Sequence, residues 1–317
     1  MGELEGERLT IVVTTSPIPS HPSTVLVRTL FQSLSDNVGG IEEARRLLVC
    51  DGYAREDGRP RLCSSEAYAS SVAALETLSS SGSFGPCEVV KLDHCHGYGL
   101  ALSTALAQVK TEFVLVMQHD WLFVRSTDMG TILDAFDADS TINYIGMQSL
   151  TTLEYSRRIH VRYGLALPAA RTIGDLTLVP QLLWYDKPHV ARTRYYLDAL
   201  FPAAKMEYNE CPEAKFGLGV MWPALLAAGK KSAAELTEEH GRYGVYFSEV
   251  GEEVVYHLSG RKLHSSDEAG DDVSIEIRSV SRSTGTYTAV AAERTVMVSG
   301  LRMPAKKQLG GSKRFRG

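Results

Sequence analysis

Residues 112–124 read EFVLVMQHDWLFV: an apolar run, an abrupt polar group, then a return to apolar residues. Phe113, Val114, Leu115, Val116 and Met117 leave no alternation for a solvent face. That is the pattern of a strand covered on both faces of a parallel sheet. The run stops at Gln118, His119 and Asp120. A carboxylate there stands at the carboxyl edge of the sheet, where open α/β folds bind their ligands. Its oxygens are hard donors, of the kind that hold a divalent cation against a diphosphate.

Three upstream segments repeat this design. Residues 9–14 (LTIVVT) form a β-branched run that ends in TTSPIPSHPS, a loop dense in Pro and Ser. Residues 46–50 (RLLVC) end at Asp51-Gly52, and residues 88–92 (EVVKL) run into DHCHGYG. Helical spacing lies between these runs. Val27, Leu30, Phe31 and Leu34 share one helix face with Ser23 placed to cap it, and helices are expected over residues 67–78 and 100–109. Strand and helix in alternation imply right-handed crossovers and a parallel sheet, hence an α/β fold with a mainly parallel central sheet flanked by helices. Thr14-Thr15-Ser16, Asp51-Gly52 and His119-Asp120 then converge on one edge.

After Arg125 the pattern is less regular. The spacing predicts a helix over 129–136, a strand over 144–150, helices over 192–200 and near 224–226, and a hairpin whose strands, 244–247 and 254–258, are joined by a turn at 249–252. No repeat of 20 to 50 residues is present. The expected division is one domain over 1–264, with a nucleotide-binding half at about 9–125 and an acceptor-binding half at 126–264. Residues 265–317 are expected to form a C-terminal extension, partly disordered.

Composition removes several classes. With 44% hydrophobic and 22% charged residues the chain is an ordinary globular protein, and a net charge of −5 argues against a dedicated nucleic-acid binder. Five cysteines, an odd number without a CxxC pair, indicate neither a zinc ribbon nor a thioredoxin-like motif. The start, MGELEGERLT, is acidic where a signal peptide is basic, and no apolar stretch reaches the roughly 18 residues of a membrane span. A cytoplasmic protein without a transmembrane segment is the expectation. GxSxG, HExxH and Walker patterns are missing, which disfavours the hydrolase, zincin and P-loop classes.

Individual residues carry the chemistry. Gly97 and Gly99 of HGYGLA precede a helix, where amide groups can meet phosphate. The GxGxxG fingerprint is not completed, however, and a tight turn accounts for both glycines. Asp93, His94 and His96 lack a third ligand at zinc spacing. His257 follows an apolar run in VVYHLSGR, and Arg261 closely after it has the guanidinium suited to a phosphate. Asp186 and Glu207 are acidic candidates for a general base, as are Glu238 and Glu239.

Over roughly residues 9–261 these segments together resemble the GT-A nucleotide-sugar glycosyltransferases, closest in style to the large inverting family 2. The resemblance implies a GT-A fold in which Thr14, Thr15 and Ser16 hold the nucleotide base and Asp51 hydrogen-bonds it. It places Gly97, Gly99, His119 and Arg261 about the nucleotide. Asp120 and His257 would hold Mn²⁺ or Mg²⁺ against the diphosphate. Gln118 stands where the family's DxD motif has its first Asp, so Asp120 is the one strong carboxylate ligand of that motif. The implied activity is metal-dependent, inverting transfer of a sugar from a nucleotide-sugar donor to a glycan or other hydroxyl acceptor. Glu207 is the first choice for the base because it falls between the metal strand and the late histidine; Asp186 is the second. Two alternatives remain. A sugar-phosphate nucleotidyltransferase would want a basic loop after the first strand, and TTSPIPSHPS has neither Arg nor Lys. A non-catalytic glycan- or nucleotide-binding protein would keep the fold with a degenerate site.

Overall fold

The computed structural model describes residues 8–54 and 62–258, together with the backbone of three strands within 275–296. In chain order the strands of the first stretch are β1 (Leu9–Thr15), β2 (Val38–Gly39), β3 (Arg45–Cys50), β4 (Cys87–Lys91), β5 (Phe113–Gln118), β6 (Trp121–Phe123) and β7 (Thr127–Asp128). They continue as β8 (Tyr144–Gly146), β9 (Arg171–Ile173), β10 (Leu176–Pro180), β11 (His189–Arg192), β12 (Val245–Ser248) and β13 (Val255–His257).

Nine of them form one sheet in the order β4-β3-β1-β5-β11-β8-β12-β10-β9. β4, β3, β1 and β5 run parallel, β11 is antiparallel to both of its neighbours, and β8 and β12 are parallel to each other. The fold is thus α/β, with a large, mostly parallel central sheet. Helices Val25–Asn37, Ser65–Ser80 and Tyr98–Leu106 connect the first four parallel strands, as the alternation predicts. Ser64 caps the second of these, its Oγ accepting from the Ala67 amide at 3.1 Å. Ser23 does reach the first helix, at the Val25 amide, 3.3 Å away.

The apolar run of β5 explains its central place. Val114 and Val116 join Val12, Leu47 and Val49 in a cluster with Leu102 of the Tyr98–Leu106 helix and with Tyr144, Trp184 and Phe247. Leu115 and Met117 alternate to the opposite face and are equally buried, as are Ile11 and Val13 of β1. Successive strand residues point to opposite faces, so both faces of the sheet are covered.

The second half departs from the sequence expectation. The hairpin does not form: β12 enters the central sheet between β8 and β10, while β13 leaves it to pair with β6, matching His257 to Trp121. The cause is burial. Val245, Tyr246 and Phe247 are all buried, a demand that a two-stranded hairpin cannot meet. The strand expected over 144–150 is confined to β8 and is followed by a single 3-10 turn, Leu150–Thr152. β9, β10 and β11 had no sequence signal long enough to single out, being three to five residues each.

Contacts divide the chain into Met1–Asp267 and Glu268–Gly317. The second unit has an antiparallel sheet of β14 (Ile275–Val280), β15 (Tyr287–Ala291) and β16 (Thr295–Val296). Among the described residues no helix is long and apolar enough to cross a membrane.

Leu115 registers with Ile11 on one side and Val190 on the other, at zero exposure. Leu115→Ala should therefore lower unfolding free energy by about 2 to 5 kcal/mol in a urea titration. A loss well under 1 kcal/mol would contradict burial of β5 on both faces.

Candidate functional site

Parallel register brings the strand ends together. Thr15 pairs with Cys50, Cys50 with Lys91, and Thr14 with Gln118, so Ser16, Asp51, the 92–97 loop and His119 leave the sheet along one edge. Backbone bonds continue the ladder past the strands: Asp51 N to Thr15 O at 2.9 Å, Leu92 N to Cys50 O at 3.0 Å, and His119 N to Thr14 O at 3.0 Å.

Asp51 is 4% exposed and its carboxylate is engaged by the chain itself. Oδ1 accepts from the amides of Gly52 (3.0 Å) and His96 (2.7 Å), and Oδ2 accepts from the amide of Gly97 (3.0 Å). This fastens the 94–97 loop to the end of β3. The glycines follow from the same packing. Gly97 has φ +78°, and a Cβ there would lie 2.5 Å from Asn209 Cα; one on Gly99 would lie 2.7 Å from the Glu210 carbonyl oxygen. The Gly99 amide donates to that carbonyl at 2.8 Å. Both glycine amides thus have acceptors inside the protein. They allow the 206–210 loop to approach.

Thr14 and Thr15 are buried, and Ser16 is half-buried at the mouth of the loop. His21 returns to that loop, donating from Nε2 to the Ser16 carbonyl at 3.2 Å, so Nδ1 is the unprotonated nitrogen; it is buried without a partner. Burial, with the nearby His119, pushes the His21 pKa down to about 4. His119 is itself buried, its Nδ1 3.3 Å from the Thr14 carbonyl, and burial lowers its pKa despite the charge of Asp120.

Asp120 and His257, 137 positions apart in the chain (257 − 120), meet at 3.0 Å between Oδ2 and Nε2. Pairing of β13 with β6 produces the contact, and the Leu258 amide donates to the Asp120 carbonyl at 2.7 Å. Asp120 Oδ1 is buried without a hydrogen-bond partner. Burial works against its charge, but the hydrogen bond from His257 and the charges of His119 and His257 outweigh it and hold the pKa below the usual carboxylate range. A carboxylate with one oxygen unpartnered, beside an imidazole, suits a divalent cation that takes its remaining ligands from a diphosphate. Among the described residues no group of three or more His, Cys, Asp or Glu could hold a metal without such help. Arg261 lies outside the described residues.

Gln118 is engaged by the protein itself. Its Nε2 donates to the Asp186 carbonyl at 3.1 Å, where a carboxylate would face an acceptor. Asp186 is thereby tied to the end of β5. It forms a reciprocal pair with Glu213: the Glu213 amide donates to Asp186 Oδ1 at 3.1 Å, and the Asp186 amide to Glu213 Oε2 at 3.2 Å. Burial and the charge of Glu213 push the Asp186 pKa up to about 7, against the opposing hydrogen bonds of Cys211 and the Glu213 amide. Glu213 was missed in the sequence; an acid just after Cys211-Pro212, opening a helical turn, was the available signal. Glu207 is exposed in the 206–210 loop, where only its backbone groups are hydrogen-bonded, to Glu210.

Solved structures with a similar layout can now be set beside this site. A mannosyltransferase from Pyrobaculum calidifontis, solved with GDP-Man and Mn²⁺, matches 61% of this chain and 46% of its own, at 17% identity and a TM-score of 0.39. TarS of S. aureus matches 80% of this chain and 37% of its own, at 14% identity and a TM-score of 0.42. Its 1-349 fragment with UDP-GlcNAc matches 80% and 58%, at 14% identity and 0.41. The chain thus spans well under two thirds of the length of these proteins. Such values lie below what would carry an activity or a site residue across, so the functional reading rests on the geometry above. No family model matches the chain, and no curated protein matches its sequence.

The Asp186 pKa has a consequence for stability. A carboxyl raised from 3.8 to about 7 holds its proton more tightly folded than unfolded. It therefore stabilises the fold below the unfolded value, and that contribution is lost as pH rises through 7. Asp186→Asn keeps the acceptor for Glu213 and removes the titration. Relative to the parent, the variant should gain on the order of 4 kcal/mol between pH 4 and pH 8 in denaturant titrations. Parallel pH profiles for the two proteins would refute the shift.

Proposed function

We propose that the protein is a glycosyltransferase that moves a sugar from a nucleotide-diphosphate donor to a hydroxyl acceptor with inversion. The observation that carries this reading is the pair of oppositely tuned carboxylates at one sheet edge. Asp120 is held ionised beside His257 with a free oxygen, and Asp186 is poised near neutrality beside Glu213. Environments that push two carboxylates apart in this way separate a charge-binding role from a proton-transfer role.

Asp120 and His257 are the residues that would hold Mn²⁺ or Mg²⁺. When bound, the cation would supply positive charge to the leaving diphosphate. Thr14, Thr15 and Ser16 stand at the end of β1 and would hold the nucleotide, with His21 hydrogen-bonded to the Ser16 carbonyl. Asp186, rather than Glu207, is the base of choice. Its backbone is tethered to the strand end through Gln118, its carboxyl is held by the Glu213 amide, and it titrates near working pH, as proton transfer requires. Its carboxylate would take the proton of the acceptor hydroxyl as that oxygen bonds to the anomeric carbon from the face opposite the diphosphate. The bond from that carbon to the diphosphate oxygen breaks, and its electron pair leaves with the nucleoside diphosphate. Glu213 keeps the Asp186 carboxylate basic by its charge and orients it through the amide bond.

Calorimetry with UDP and GDP, each with Mn²⁺ and then with EDTA, tests the first half. One nucleotide should bind in a metal-dependent way, and Asp120→Ala or His257→Ala should weaken it at least about tenfold. For the second half, Asp186→Asn should retain nucleotide binding while sugar transfer, or donor hydrolysis in its place, falls about 10² to 10⁴-fold. The parent's rate should show an ascending limb near pH 7. A variant of Asp186 with parental turnover, or Glu207→Gln with the larger loss, would reassign the base. Metal-independent binding would remove Asp120 from its role.

A further inference from the structure

A cavity of about 560 Å³ opens beside the Asp186 segment, between that segment and the helix Tyr155–Tyr163. Its size falls in the range of small-molecule sites. Four cations line it, Arg157, Arg158, Arg162 and Lys187, and no carboxylate does. That is unusual in a chain of net charge −5. Arg157 is paired with Glu154 at 2.5 Å, but the guanidinium groups of Arg158 and Arg162 make no salt bridge among the described residues. Arg162 rests on the Tyr163 ring, 5.3 Å from its centroid.

Lys187 is the inner cation. Its amine donates to Ser149 Oγ at 3.0 Å and to the Thr151 hydroxyl, and lies over the Tyr185 ring at 4.8 Å. Burial lowers its pKa to about 8; Glu213 and Glu253 raise it and Arg158 lowers it. Two hydroxyls and an aromatic face satisfy the ammonium without neutralising it, which leaves a partly buried cation facing two unpaired ones. Phosphate satisfies such a set, since guanidinium groups bind its oxygens in pairs and the ammonium acts as a point charge. Tyr185 and Tyr163 add aromatic faces of the kind that cover the apolar side of a sugar ring.

Tyr185 and Lys187 immediately flank Asp186, the proposed base. Resting on the glycosyltransferase reading above, we infer that this cavity is the acceptor subsite and that the acceptor is a phosphorylated hydroxyl compound, its phosphate held by Arg158, Arg162 and Lys187. The phosphate belongs either to a soluble sugar or polyol phosphate or to the headgroup of a lipid.

Calorimetry on the full chain with glucose 6-phosphate and with glucose tests this, read alongside nucleotide binding with Mn²⁺. The phosphorylated sugar should bind at least tenfold tighter than glucose. Arg158→Ser with Arg162→Ser, both at exposed positions, should abolish that preference, and Lys187→Met should weaken it at least tenfold. Nucleotide binding should be unchanged in both variants. Sedimentation with phosphatidylglycerol vesicles, but not phosphatidylcholine vesicles, reversed by glucose 6-phosphate, identifies the lipid source. Glucose 6-phosphate binding without such sedimentation identifies the soluble one. The inference is overturned if glucose binds as well as its phosphate, or if the preference survives both variants. It is also overturned if the variants lose nucleotide binding, since the cavity would then hold the donor's diphosphate. Nucleotide binding intact with no phosphate preference removes this subsite alone. Phosphate preference without binding of any nucleotide removes instead the reading on which the acceptor role rests.

Discussion

Asp51 holds the working edge of the molecule in place. Its buried carboxylate accepts from the amides of Gly52, His96 and Gly97, and so converts a loop that would otherwise wander beyond β4 into an extension of the sheet edge. Charged acceptors make the stronger hydrogen bonds, and removing such a group would take their acceptor from the amides of His96 and Gly97. The Gly97 and Gly99 backbone, fixed in this way, becomes the surface on which the 206–210 loop lies, with Asn209 N donating to His96 O at 3.1 Å. The second half of the chain meets the first here as well as through β11 on β5 and β13 on β6.

The two carboxylate pairs show how one edge creates opposite environments. Asp120 and Asp186 are both largely withdrawn from water, and burial alone would raise both pKa values. What separates them is the neighbour. Asp120 receives a hydrogen bond from an imidazole and stays ionised; Asp186 faces Glu213 and holds its proton to about neutrality. Gln118 links the two, being the residue before His119-Asp120 and the donor to the Asp186 carbonyl. An amide side chain at position 118 therefore has a local physical reason, because the Asp186 carbonyl wants a donor.

Much of the first half was legible because its strands are long and covered on both faces. A run such as residues 113–117 has one sensible placement, and the expected helices and strands over 9–125 lie where the periodicity puts them, within a few residues. The contact of Asp120 with His257 was anticipated only through family resemblance, since nothing in either segment by itself says that they meet. The second half was harder to read. β9, β10 and β11 are too short to show a period, and His189, which looks like any polar residue in KPHVAR, is fully buried. It donates from Nδ1 to the Lys187 carbonyl and accepts from the Tyr196 hydroxyl at 2.7 Å.

The chain's own sequence determined the α/β class, the strand ends that converge and the residue types available at that edge, because hydrophobic periodicity and turn chemistry are local. Tertiary structure alone decided which polar residues bind the protein together and which keep an unpartnered group. Asp51, Gly97 and Gly99 turned inward; Asp186 and Glu213 were brought face to face; and the arginines of one exposed helix were gathered around Lys187. Those outcomes depend on which backbone amides and charges arrive from distant parts of the chain, and a carboxylate reads the same in sequence whether its neighbour is an amide, an imidazole or another acid.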